Sequence, residues 1–187
     1  MASDDDRIRQ SIEMQEYLAA LEALVLTYQH AMVRFCTGML GADGEDMAQE
    51  VFLSAYEAMP RFRRQASIRT WLYSIARHLC HKTIRDRQRR QRRQLQAPDI
   101  TRALYSTSGS ETPSEDAQQL LLRFLQELPE RERAILLMRS KHAMSHAEVA
   151  TVLGISKRTV ERKWAEALRY LGGRITHAMG CQRPGSS

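Results

Sequence analysis

The chain has 187 residues, 43% apolar and 27% charged, a balance typical of globular proteins, and no stretch approaches the roughly 18 consecutive apolar residues that a membrane span requires. Its formal charge of +6 conceals an asymmetry: residues 1–60 carry three cations against eleven acids, whereas residues 62–93 carry eleven cations against one acid. An acidic head before a basic belt points to two partners of opposite sign, with nucleic acid the leading polyanion for the belt.

The three cysteines are an odd number, and the opening MASDDDR lacks the basic and then apolar run of a secretory leader, so a cytoplasmic location is expected. Helical spacing recurs along the chain while period-two alternation does not, which predicts an all-α fold. From Ile8 to about Met39, residues Leu18, Leu21, Leu24, Val25, Tyr28, Met32 and Phe35 fall at steps of three and four. They form one face of one or two helices, which Gly38, Gly41 and Gly44 then break. A second segment runs from about Gly44 to Met59, with Asp43 as its cap and Pro60 at its end.

A third helix begins near Ser67 and is expected to bury Ile68, Leu72, Ile75 and Leu79. Between 67 and 93 it carries nine Arg and Lys and the single acid Asp86, too one-sided for a face merely kept soluble. Trp71 adjoins the apolar face and divides between packing and surface; Tyr73 points elsewhere and is expected to be exposed. After Arg93 the periodicity ends. Residues 94–116, rich in Ser, Thr, Pro and Gly, read as a flexible linker whose relaxed span is ~27 Å.

Residues 145–171 read SHAEVATVLGISKRTVERKWAEALRYL. Ser145 and Glu148 have the spacing of a capping box. Gly154 supplies a residue tolerant of positive φ, Ile155 plugs the angle between two helices and Ser156 caps the second. That second helix is expected to bury Val160, Trp164, Leu168 and Leu171. Two helices meeting through Gly-Ile-Ser make a helix-turn-helix, and Ser156, Lys157, Arg158, Thr159, Glu161, Arg162 and Lys163 lie on the half that enters a major groove. Arg reads guanine bidentately, Glu accepts from cytosine, and Lys and Ser hold phosphate.

Taken together, GEDMAQEVFLSAYEAMPRFR, the following IRTWLYSIARHLCHKTIRDRQRR, and LPERERAILLMRSKHAMSHAEVATVLGISKRTVERKWAEALRYL resemble the extracytoplasmic-function group of sigma factors of bacterial RNA polymerase, in the sigma-70 family. The resemblance covers roughly residues 15–90 and 118–171 and implies two small helical domains. A region 2 bundle over 8–93 would bind core polymerase and melt the minus-ten element; a linker, 94–116, follows; a region 4 helix-turn-helix over 117–178 would read the minus-thirty-five element.

It further implies that Asp46, Gln49, Glu50, Phe52 and Leu53 dock on the coiled coil of the largest catalytic-core subunit, with the flap as a second polymerase contact, and that an anti-sigma factor is a partner. The opened strand would be held by Arg61, Phe62, Arg63, Arg64, Arg69, Trp71, Tyr73, Arg77, His78, Lys82 and Arg85, cations for phosphate and rings for bases. The turn PRFRRQAS resembles the family's base-capturing loop. His78 departs from the pattern, since many relatives carry Asn there.

Other classes fit less well. His78, Cys80 and His81 lack the further ligands of a structural zinc site. There is no phosphate-cradling glycine loop, nucleophile elbow or carboxylate pair in a cleft, so neither an enzyme, a cofactor nor a small-molecule substrate is expected. The alternatives are an autonomous helix-turn-helix regulator with an N-terminal sensing or dimerisation domain, and an adaptor whose basic belt meets an acidic protein.

Overall fold

The computed structural model describes residues 4–63, 66–96 and 117–180. Among them are eight α-helices and no strand: α1 Asp4–Glu13, α2 Tyr17–Leu40, α3 Gly44–Ala58, α4 Ile68–Gln96, α5 Ala117–Glu127, α6 Glu130–Ser140, α7 His146–Leu153 and α8 Lys157–Gly180. Short 3-10 turns at Gly41–Asp43 and Met59–Arg61 flank α3. The expected linker begins later than its composition suggests, because α4 continues to Gln96; residues 97–116 lie outside the described residues.

The N-terminal periodicity resolves into α1 and α2, parted at Gln15, whose φ of 61° reverses the chain. Ile8 and Ile12 of α1 are buried with Leu24, Tyr28, Met32 and Phe35 of α2, while the Tyr28 hydroxyl donates to Asp5. Leu18, assigned to the same face, is exposed.

The three glycines do different work. Gly38 does not break the helix: it is buried within α2, where a Cβ would meet Leu137 Cδ2 of α6 at 2.6 Å. Gly41 ends α2 at a φ of 74° that only glycine takes without strain. Gly44 opens α3 against the Thr37 backbone. Asp43 precedes α3 but makes no capping bond and instead pairs with Arg87.

The N-terminal bundle of α1–α4 and the C-terminal group of α5–α8 share one core. His142, in the loop between α6 and α7, inserts between Phe35 of α2 and Tyr73 of α4, with ring centroids at 6.1 Å and 5.2 Å. Arg133 of α6 is buried, and Nη1 donates to Met39 O and Gln126 Oε1, both at 2.6 Å. Its Nη2 donates to Gln126 O at 2.7 Å and Leu128 O at 3.0 Å, so four oxygens compensate the buried guanidinium. Gln126 Nε2 also donates to Gly38 O at 3.1 Å. No described helix is long and apolar enough to cross a membrane.

Candidate nucleic-acid interface

The start of α4 is set locally: the Thr70 amide donates to Ser67 Oγ at 3.1 Å, satisfying one orphan donor of the first turn. Trp71, half-buried, lies against Phe62 with centroids 4.9 Å apart and planes at 58°. Arg61 and Arg63 are exposed beside Phe62, and Arg64 lies outside the described residues. Below Trp71, at steps of seven, four, three and four, come His78, Lys82, Arg85 and Arg89, all exposed. Those steps return to nearly the same azimuth on an α-helix. One face therefore presents a ring pair at one end and a row of cations beneath it.

Three other belt cations, Arg69, Arg77 and Arg87, point elsewhere. Arg69 Nη2 donates to Glu148 Oε1 of α7 at 2.6 Å. Arg77 is half-buried, with its Nε enclosed and unpartnered. Arg87 turns back to Asp43 and to Leu40 O.

Tyr73 corrects an expectation. Only 1% of it is exposed, because it packs edge-on to Phe35, centroids 5.2 Å apart, while His142 covers it from the other side. Burial pushes its phenol pKa well above the ordinary value. Ile75 and Leu79 are only half-buried, and Ala76 and Cys80 fill the inner positions. His81 Nδ1 bonds Glu130 of α6. Cys80 and Cys36 are buried free thiols; a hydrogen bond between them and burial push the Cys80 thiol up.

On α3, Asp46, Gln49, Glu50 and Leu53 are exposed and share a face at helical spacing. Phe52 does not join them: at 9% exposure it belongs to the core and supports the face from behind. Tyr56, one turn beyond Leu53, continues the face and is 41% exposed. Its signal, an aromatic at i+3 from an exposed leucine, was present in the sequence.

The helix-turn-helix is assembled from short-range bonds. The Glu148 amide donates to Ser145 Oγ at 3.2 Å and the Ser145 amide to Glu148 Oε2 at 2.7 Å, closing the capping box. Burial alone would raise the Glu148 pKa; hydrogen bonds from Arg69 and Ser145 hold it below the ordinary value. Gly154 takes φ 62°, ψ 37°, Ile155 N donates to Ala150 O at 3.1 Å, and the Thr159 amide donates to Ser156 Oγ at 3.1 Å.

In α8 the inner residues are Val160, Ala167 and Leu171, with Trp164 half-buried under the Arg139 guanidinium at 5.6 Å. Leu168, expected inside, is 46% exposed, because Ala167 takes the inner azimuth. Ser156, Lys157, Arg158, Glu161 and Arg162 are exposed, and Thr159 is half-buried. Arg158 makes no ion pair among the described residues, whereas Arg162 bonds Glu166 at 2.9 Å and Lys157 lies 3.8 Å from Glu161. Lys163 turns inward to Glu132 of α6 and is only 23% exposed, so it braces the motif.

The Sigma-70 region 2 family model matches residues 24–90, and that of Sigma-70, region 4, matches residues 118–171. Over 153 residues the chain is 30% identical to the ECF RNA polymerase sigma factor SigG of Mycobacterium tuberculosis, which covers 69% of this chain but 41% of SigG. The chain thus spans about two fifths of that relative's length. Over 165 residues it is 27% identical to the ECF RNA polymerase sigma-E factor of Escherichia coli, covering 83% of this chain and 86% of that one.

The fold is similar to that of CnrH, solved in complex with the cytosolic domain of CnrY, with a TM-score of 0.65 and 19% identity over 94% of this chain and 99% of that chain. It is also similar to the sigma factor RpoE of Bartonella quintana, solved with the anti-sigma factor NepR, with a TM-score of 0.63 and 18% identity over 85% of this chain and 96% of that chain.

Proposed function

The chain belongs to the sigma-70 family, in its extracytoplasmic-function group, and on that footing we propose that it binds core RNA polymerase and directs it to specific promoters, with no catalytic activity of its own. Residues 8–93 form the unit that meets polymerase and the minus-ten element, and residues 117–178 the unit that reads the minus-thirty-five element. The observation that carries the reading is the single face of α4 on which His78, Lys82, Arg85 and Arg89 stand in register below the Phe62–Trp71 pair.

An opened strand needs rings for unstacked bases, each stack contributing about 1–3 kcal/mol, and cations at intervals for its phosphates. The face has both. Arg61 and Arg63 flank the ring pair, and Arg64 and Arg77 complete the assigned strand contacts, while Arg69, held by Glu148, and Tyr73, buried between Phe35 and His142, stand apart from that face. The exposed face of α3, with Asp46, Gln49, Glu50, Leu53 and Tyr56, suits a basic coiled coil of the largest catalytic-core subunit, since acids there steer away from DNA and toward a cationic protein. On the helix-turn-helix, Arg158 is the residue freest to read a base, with Ser156, Lys157, Thr159, Glu161 and Arg162 around it. The flap is the second polymerase contact. An anti-sigma factor is the expected inhibitor, by analogy with the NepR complex of the Bartonella protein.

Run-off transcription with purified core polymerase and a library of promoter fragments tests the reading. The expected outcome is discrete start sites that depend on the added chain. Specific duplex binding by the chain alone, with no start sites conferred, would favour the autonomous regulator.

A further inference from the structure

We propose that Glu132 of α6 is a positioning residue for base recognition: its ion pair with Lys163, together with the Arg139–Trp164 contact, sets the rotation of α8 about its own axis and so aims Arg158 at the groove. The proposal rests on the reading of α8 as the helix that enters a major groove.

Successive residues of an α-helix step by about 100°. With the buried stripe of Val160, Ala167 and Leu171 as the inward direction, Lys163 stands about 60° to one side of it and Trp164 about 40° to the other, while Arg158 lies about 160° away. Helix α6 grips both flanks. Glu132 bonds the Lys163 ammonium, and Arg139, two turns further along α6, lies over the Trp164 ring at 5.6 Å. Arg139 is itself fixed, since its Nη1 donates to Met144 O. Held from both sides, α8 cannot roll either way without breaking one contact.

A small roll would be enough to misplace a base contact. Turning the helix by about 10° carries a side-chain tip ~6 Å from the axis through about 1 Å, twice the roughly 0.5 Å range over which an N–H···O bond is well made. The chemistry of the pair points the same way. Its side chains are only 23% and 13% exposed, so lost hydration offsets much of their attraction, and two apolar residues would join the helices as firmly. What the ion pair adds is direction, because an ammonium and a carboxylate meet at one place whereas apolar side chains slide past one another. The same pair keeps Lys163 away from phosphate.

The test uses the full chain and a randomised duplex library, with preference read as the ratio of affinities for the selected base pair and its alternatives. Arg158→Ala identifies the base pair that Arg158 reads. At that position Glu132→Gln should reduce the preference by at least about fivefold, the low end of what a bidentate contact supplies, while overall affinity holds or rises as the freed Lys163 reaches phosphate. Lys163→Met should lower the preference equally, and Lys163→Arg should keep it. In an Arg158→Ala background Glu132→Gln should leave the ratio where it is, a result that a general loss of stability would not produce.

The proposal is overturned by an unchanged preference in Glu132→Gln, by a further loss in the Arg158→Ala background, or by an Arg158→Ala or wild-type chain that treats every sequence alike. If Glu132→Gln loses helical circular dichroism, the comparison of Lys163→Met with Lys163→Arg decides. Failure of the run-off assay with these ratios intact would strike the initiation reading alone.

Discussion

His142 shows how much one side chain can carry. It is 9% exposed, its Nε2 has no partner, and its pKa is lowered to about 4, first by desolvation and then by the cations Arg34 on α2, Lys141 beside it and Arg69 on α4. Tyr73 and Phe35 complete its surroundings, with Glu148 engaged by Arg69. A group whose folded pKa lies below its unfolded value near 6.5 contributes fully above that unfolded value and loses its contribution as pH falls toward about 4. The packing around His142 should therefore weaken between about pH 6.5 and 4, by about 3 kcal/mol at most. Urea titrations at a series of pH values should show this slope, and His142→Phe should flatten it. The His81–Glu130 pair sits in the same seam, but the variant leaves it intact, so the difference between the two profiles isolates His142. Arg133 makes the complementary case: Arg133→Ala strands four oxygens and should cost about 3 kcal/mol in unfolding free energy, with Arg133→Lys recovering only part.

At the scale of elements, the helix-turn-helix was legible almost to the residue because its determinants are local. Ser145 and Glu148 are three apart, and Gly154 acts through its own φ. What sequence spacing missed was azimuth: Leu168 and Ala167 are neighbours, and a difference of about 100° decides which faces inward. Phe52 was assigned to the α3 dock by resemblance alone, and at 9% exposure it lies on the core side of the helix. Two predictions belong here. Reversing Asp46 and Glu50 together to Lys should weaken core-polymerase binding at least tenfold while leaving helix content unchanged, as measured by competition for core enzyme. Arg158→Ala should cost about 1–3 kcal/mol of discrimination at one base pair. A uniform loss across a duplex library would instead identify Arg158 as a phosphate contact.

For the molecule as a whole, the all-α class and the two-part plan could be read from periodicity and from the break after the basic belt; the seam between the parts could not. Its contacts join residues 49, 79 and 94 positions apart, and no window of sequence holds both partners. Gly38 read as a helix breaker, and nothing in the sequence singled out His142 or Arg133, until the fold brought their partners to them. The same folding divides the belt, since Arg69 and Arg87 are paired with Glu148 and Asp43 while the exposed Lys82, Arg85 and Arg89 make no ion pair among the described residues. Salt titration of strand binding should follow the exposed set. Arg85→Ala with Arg89→Ala should reduce the slope of log affinity against log salt by about 1.4, at ~0.7 per phosphate on single strands, whereas Arg87→Ala should barely move it.

The unbroken course of α4 from Ile68 to Gln96 also makes phase a heritable property of the protein. An alanine inserted after Ala76 would rotate everything downstream by about 100° and advance it ~1.5 Å. No amino acid would be lost, yet the guanidinium row would no longer sit under the indole. A deletion or insertion there should harm strand capture more than many outright replacements of a single arginine.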